Sequence, residues 1–222
     1  MAPSTRLQPI DRKTPTGQNY QAFNTAYEHF NTSLFGGQLP PCLITFQRTN
    51  RAYGYFAPQR FGSREGENVI DEIALNPNHF KSRTVVDVLS TLVHEMVHLW
   101  HEHFGLKPPR RCYHNKEWAA KMKSVGLIPS RTGKPGGKET GQRVTHYIEE
   151  GGVFDVAVNV LLKEGFTLPY VDLWTEKTKA IRKKKAASKT KYCCPRCGLN
   201  AWAKPEVKLA CGECMELMLP QE

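Results

Sequence analysis

Two sets of residues in this chain have the types and the spacing to hold a metal ion. The first is the run His94-Glu95-Met96-Val97-His98. On a helix, residues four apart share a face, so His94 and His98 can present imidazole nitrogens to one Zn2+ at about 2.0–2.1 Å. Glu95 projects about 100° around the axis from His94, outside the metal's own shell but near a water that the metal activates, which makes it the candidate general base. A zinc ion lowers the pKa of such a water toward about 7 and polarises a scissile carbonyl, so the chemistry is hydrolysis of a peptide bond. A shuffled chain of this composition would contain about 0.02 such motifs, and the surrounding elements must carry the rest of the argument. The second set is Cys194, Cys197, Cys211 and Cys214, two CxxC pairs with 13 residues between them. Four thiolates fill a tetrahedral shell and leave no open position, so this zinc is expected to be structural. The tail that carries them is too short to build a core and needs such a staple. Cys193 is a spare thiol that could replace Cys194.

A catalytic zinc needs a third protein ligand and one open position. His101 shares the face of His94 but lies about 10.5 Å along the axis at 1.5 Å per residue, too far for one ion, and His103 points elsewhere. The metzincin extension of the motif requires glycine at position 101 and histidine at position 104, where this chain has His101 and Phe104, so that class is excluded. His114 is favoured, because it follows a proline-directed reversal and precedes the cap of the next helix. Glu117 on the same segment and Cys112 stay open as alternatives. Tyr113, His146 and Tyr147 are polar candidates for the group that stabilises the oxyanion, and none is assigned.

The elements that must position these residues can be read from the apolar pattern. Tyr20, Phe23, Tyr27, Phe30 and Leu34 recur at helical spacing and end at Gly36 and Gly37. Strands are expected at 43–48, 52–57 and 70–75, the last bounded by Asn76 and Pro77. From Thr84 to Phe104, Leu89, Leu92, Val93, Met96 and Trp100 form a core-facing stripe from which His94 and His98 are displaced, and Gly105 closes the helix. Asn115 can cap a short helix carrying Trp118, Met122 and Val125. A glycine-rich basic loop covers 131–143, a surface connection in its plainer reading and a lid or DNA contact in the sharper one. A last helix is expected over 154–164.

The charge is uneven. The chain carries a net +10, and residues 176–191 alone hold eight Lys or Arg against one Glu, whereas 192–222 sum to −1. Such a segment, with almost no apolar residues, reads as a mobile linker that could neutralise several phosphates without reading sequence; a solvated linker or a targeting signal is the plainer account. No stretch approaches the roughly 20 apolar residues of a membrane span, so no membrane partner is expected. The polar amino-terminal stretch is unlike a secretory signal, and paired cysteines suit a reducing compartment. The expected location is cytoplasmic, or associated with DNA if the linker binds it.

The order of these pieces resembles the SprT-like metallopeptidase family, which includes the Spartan proteases that digest proteins crosslinked to DNA. The resemblance runs from LFGGQLPPCLITF through RAYGYFAP and DEIALNP to TLVHEMVHLWHEHFG and HNKEWAAKM, over about Tyr20 to Leu127. In that family the third zinc ligand opens a motif of the HGxxF type, to which HNKEW with His114 is similar; Asn115 stands for the glycine and Trp118 for the aromatic residue. The resemblance implies an α+β fold with a zincin-like metallopeptidase domain, and it implies that the strand at Asp71–Asn76 pairs with an extended substrate. The organisation expected is a disordered leader over 1–18, the zincin-like domain over 19–175, the basic linker over 176–191 and a small zinc ribbon over 192–222. The expected function is that of a zinc-dependent endopeptidase acting on DNA-associated or DNA-crosslinked proteins. One catalytic zinc would sit on His94, His98 and His114, with Glu95 as base, and one structural zinc on the four cysteines. The alternative is a non-catalytic zinc-ribbon factor that binds nucleic acid or transcription machinery.

Overall fold

The computed structural model describes residues 14–49, 52–66, 68–106, 113–173 and 188–221. It divides into two compact units, residues 1–172 and 173–222. Four helices and three small sheets make up the described residues.

In the first unit, helix α1 (Pro15–Phe35) starts earlier than the expected leader of 1–18 allows. The Thr14 side chain accepts from Gly17 N at 3.2 Å, and Pro15 occupies the first helical turn, where its missing N–H costs nothing. The helix stops at Gly36, whose φ of 65° is the left-handed conformation glycine adopts freely. Its buried face, with Phe23, Ala26, Tyr27 and Phe30, packs on the rest of the core, and Phe30 stacks on Phe154 at 5.5 Å. Each such aromatic or aliphatic burial contributes about 1.5–3 kcal/mol.

The first sheet has β3 (Val69–Leu75) in the centre, β1 (Leu43–Phe46) parallel on one side and β2 (Gly54–Gly62) antiparallel on the other. This corrects the expected substrate strand. Glu72–Leu75 are paired with β1 and also with β2, and Asn76 N donates to Tyr53 O at 2.8 Å, so Asp71–Asn76 has no edge left to offer. The outer edge of β2 has no strand partner among the described residues. β2 also runs past the expected end at Ala57. Pro58 is tolerated because an edge strand need not use every N–H, and a bulge absorbs Gln59, whose φ is 48° and whose N–H donates to Asp71 Oδ1 at 2.7 Å.

Helix α2 (Val85–Phe104) opens with a reciprocal cap. Thr84 Oγ1 accepts from Asp87 N at 3.0 Å, and Asp87 Oδ2 accepts from Thr84 N at 3.2 Å. Leu89, Leu92, Val93 and Met96 are fully buried as the stripe predicts. Helix α3 (Lys116–Ser124) is capped by Asn115 Oδ1, which accepts from Trp118 N at 2.8 Å. The strands β4 (Leu127–Ser130) and β5 (Thr145–Ile148) form a hairpin around the glycine-rich loop, and helix α4 (Val153–Lys163) returns against α1.

The second unit is a three-stranded sheet in the order β7 (Asn200–Ala203), β6 (Thr190–Cys193), β8 (Leu219–Gln221). Its buried cluster is only Tyr192, Cys194, Cys211 and Met218. β6 begins at Thr190, inside the expected linker of 176–191, because Thr190 and Lys191 pair with Ala203 and Trp202. Residues 176–187 of that linker lie outside the described residues. Among the described residues no helix is long and apolar enough to cross a membrane.

Candidate metal centres and active-site cleft

Helical spacing places His94 and His98 on one face of α2, and their rings lie 5.2 Å apart between centroids. His114 arrives from the other side, just before α3. It forms a two-way backbone bridge with Gly141, His114 N to Gly141 O at 2.9 Å and Gly141 N to His114 O at 3.0 Å. The glycine-rich loop is therefore part of the site. Its Gly141 carbonyl also lies 3.0 Å from His114 Nδ1, and since a carbonyl only accepts, Nδ1 carries the proton and Nε2 is bare. Imidazole donors from His94, His98 and His114 were expected to converge, and their ligand atoms lie within 4.8 Å of one another. Asn115 does not use the left-handed freedom of the glycine it replaces: its φ is −85° and it serves as a helix cap.

The donor set fits a divalent metal. His98 Nε2 faces the bare His114 Nε2 at 3.1 Å, close to the roughly 3.3 Å separating two nitrogens held tetrahedrally at about 2.0–2.1 Å from one ion. Burial, with His146, His98 and His114 nearby, lowers the pKa of His94 well below the ordinary histidine value. Burial, with His114 and His101 close, brings His98 down to about 3, and burial also lowers His114. Three neutral imidazoles need lose no proton to bind a cation. Trp118 is fully buried beneath them, its ring 4.2 Å from that of His114 and nearly stacked on His98 at 5.2 Å.

Glu95 is buried beside this cluster, and burial pushes its carboxyl up to about 8. A dication on the neighbouring histidines would draw it back down by favouring the carboxylate. Gly54 lets β2 come this close. A Cβ there would lie 2.8 Å from Ala74 O and 3.2 Å from Glu95 Oε1, so a side chain would drive the strand off the carboxyl.

The cluster forms the floor of a cleft of about 1030 Å³, walled by residues 52–58, by Tyr113 and by 142–146. Of the other expected candidates, Glu117 faces away from the metal donors: its Oε1 accepts from Leu106 N at 2.7 Å and its Oε2 lies 3.5 Å from His101 Nε2. Cys112 lies outside the described residues. His103 pairs with Asp71 at 2.6 Å. Tyr113 lines the cleft, whereas Tyr147 sits in the β4–β5 hairpin opposite Ile128. His146 lies beside the cluster, its Nδ1 3.1 Å from His94 Nδ1 and its Nε2 3.0 Å from Ser90 Oγ. Burial and the Arg83 guanidinium bring its pKa down to about 4. The sequence offers His146 only as a candidate oxyanion group and does not point to Gly141, since one comes from a four-residue strand and the other from the glycine-rich loop, neither with a periodicity that aims it at the site.

In the second unit Cys194, Cys197, Cys211 and Cys214 have all four sulfurs within 4.8 Å of one another. Cys197 Sγ lies 3.7 Å from Cys211 Sγ, near the roughly 3.8 Å expected for thiolates at about 2.3 Å from a tetrahedral zinc. Cys194, not Cys193, joins this group; the Cys193 thiol points to the Cys194 carbonyl at 3.7 Å. The two pairs sit on matching turns, with Gly198 N donating to Cys194 O at 2.9 Å and Met215 N to Cys211 O at 2.8 Å. The residue after each second cysteine is left-handed, Gly198 at φ 74° and Met215 at φ 55°. Backbone N–H groups of Cys197 and Arg196 bring the Cys194 thiol down to about 7, while the hydrogen bond with Cys197 pushes the Cys214 thiol up to about 12.

A mixed α/β unit that gathers three histidines, followed by a four-cysteine unit, is consistent with a metallopeptidase-like domain. Residues 23–138, just over half of the chain, match the SprT-like family, and the chain belongs to that family. An uncharacterized protein encoded in the mucB 3' region of Salmonella typhimurium is 49% identical over 59 residues, which cover 27% of this chain and 80% of that protein. No solved structure matches.

Proposed function

We propose that this chain is a zinc-dependent endopeptidase of the zincin type that acts on proteins associated with, or crosslinked to, DNA. The observation that carries the reading is the convergence of three neutral histidines and the buried Glu95 at the floor of an open cleft, one wall of which is the edge strand β2, whose outer side has no strand partner among the described residues. His94, His98 and His114 would hold the zinc, which when bound supplies Lewis-acid activation of a water and of the scissile carbonyl. Glu95 takes the proton from that water and returns it to the departing amine. The outer edge of β2 offers main-chain groups to an extended segment, so binding would depend on backbone more than on sequence. Cys194, Cys197, Cys211 and Cys214 would hold a second, structural zinc.

The DNA part of the proposal rests on the net +7 of residues 176–191, which can follow a phosphate backbone without reading bases. It is tested with the full zinc-loaded chain and a DNA-binding protein as substrate, with and without single-stranded DNA. Cleavage should rise when DNA is added and fall steeply as salt increases. Equal cleavage with and without DNA would remove DNA from the account. A chain that holds two zinc ions and cleaves none of several DNA-bound substrates would favour the non-catalytic zinc-ribbon factor.

A further inference from the structure

One buried histidine has no part in the chemistry above. His146 comes from β5, outside the HExxH motif, and its Nδ1 lies 3.1 Å from His94 Nδ1. Asp87, Ser90 and His94 fall at positions i, i+3 and i+7 of α2, and His146 bridges the second and third of them. We propose that His146 is a positioning residue that keeps the proton of His94 on Nδ1 and thereby presents His94 Nε2 bare to the metal. The inference rests on the proposed metal site.

The proton order follows from what each atom can do. The Asp87 carbonyl only accepts; it receives Arg83 Nη2 at 2.7 Å and Ser90 Oγ at 2.9 Å. Ser90 has one proton, and giving it to Asp87 leaves its oxygen to accept from His146 Nε2 at 3.0 Å. A neutral imidazole protonated on Nε2 has a lone pair on Nδ1, and 3.1 Å away that lone pair receives His94 Nδ1–H. The reverse order would break the Ser90 bond to Asp87 and put a proton on His94 Nε2, where a metal must bind. A ligating histidine whose other nitrogen is held in this way has a fixed tautomer and ring orientation, and loss of such a partner typically costs about 10–100-fold in metal affinity.

The test uses the full chain and Co2+, because thiolate charge-transfer bands mark the four-cysteine site and are absent from an imidazole site. His146→Leu removes the acceptor while keeping the bulk, and His146→Asn keeps an acceptor oxygen near the position of Nδ1. The Leu variant should bind cobalt at the histidine site about 10–100-fold more weakly, with the cysteine-site bands and the circular dichroism unchanged. The Asn variant should recover most of that loss, and imidazole nitrogen NMR of the metal-loaded native chain should find His94 protonated at Nδ1. The proposal is overturned if the Leu variant binds as the native chain does, or if Leu and Asn lose affinity equally. If the native chain takes up cobalt only at the cysteines, the metal-site reading itself falls and this inference falls with it. Two cobalt ions in the native chain with an unaffected Leu variant would remove this inference alone.

Discussion

Replacing Glu95 with glutamine is expected to lower the rate of peptide-bond cleavage by about 10²- to 10⁴-fold, the range associated with losing a positioned general base. The substitution keeps the shape of the side chain, which matters because Glu95 is buried and has β2 pressed against it at Gly54. It also leaves His94, His98 and His114 in place, so the metal content should not change. The effect should fall on kcat, since the proton is moved only in the chemical step. A Gln variant that retains native turnover would mean that another group takes the proton, and Glu95 would then be a packing residue.

Substituting one buried cysteine of the second unit, Cys211→Ser, should be just as severe for a different reason. The buried cluster there is Tyr192, Met218 and the two cysteines themselves, which cannot order a three-stranded sheet unaided. A structural zinc supplies about 10–16 kcal/mol of apparent binding free energy to units of this kind, far more than two buried side chains at about 1.5–3 kcal/mol each. Limited trypsin digestion of Cys211→Ser should therefore cut within 188–221 under conditions where the native chain is resistant, with one metal ion fewer per chain. The first unit, with its own large core, should keep its resistance. Native-like protection of the variant would show that this sheet folds without a metal.

Both candidate metal-ligand clusters were legible in the sequence in part, because part of each donor set is local. His94 and His98 are one helical turn apart, and each CxxC pair closes its own turn, so spacing predicts that the members of each pair converge. His114 was singled out from three candidates because a capped helix follows it, and the cap at Asn115 is there. The parts contributed from a distance were not legible. Gly141 and His146 act on His114 and His94 from 27 and 52 residues away, through a hairpin of two four-residue strands, one of them containing Pro129. The misplaced substrate edge has a similar cause. The composition of a strand does not name its neighbours, and 70–75 gave no sign of being central. The better signal was in β2, where Pro58, Gln59 and Arg60 have the polar, proline-bearing character of an edge.

The central claim is that His94, His98 and His114 hold a metal that cleavage requires. It is tested most directly by counting zinc in the purified full chain and in His114→Ala, while following cleavage of a DNA-bound protein by each. The account predicts two zinc ions per native chain, one in the variant, and cleavage by the native chain alone. Two zinc ions in His114→Ala with cleavage intact would contradict it.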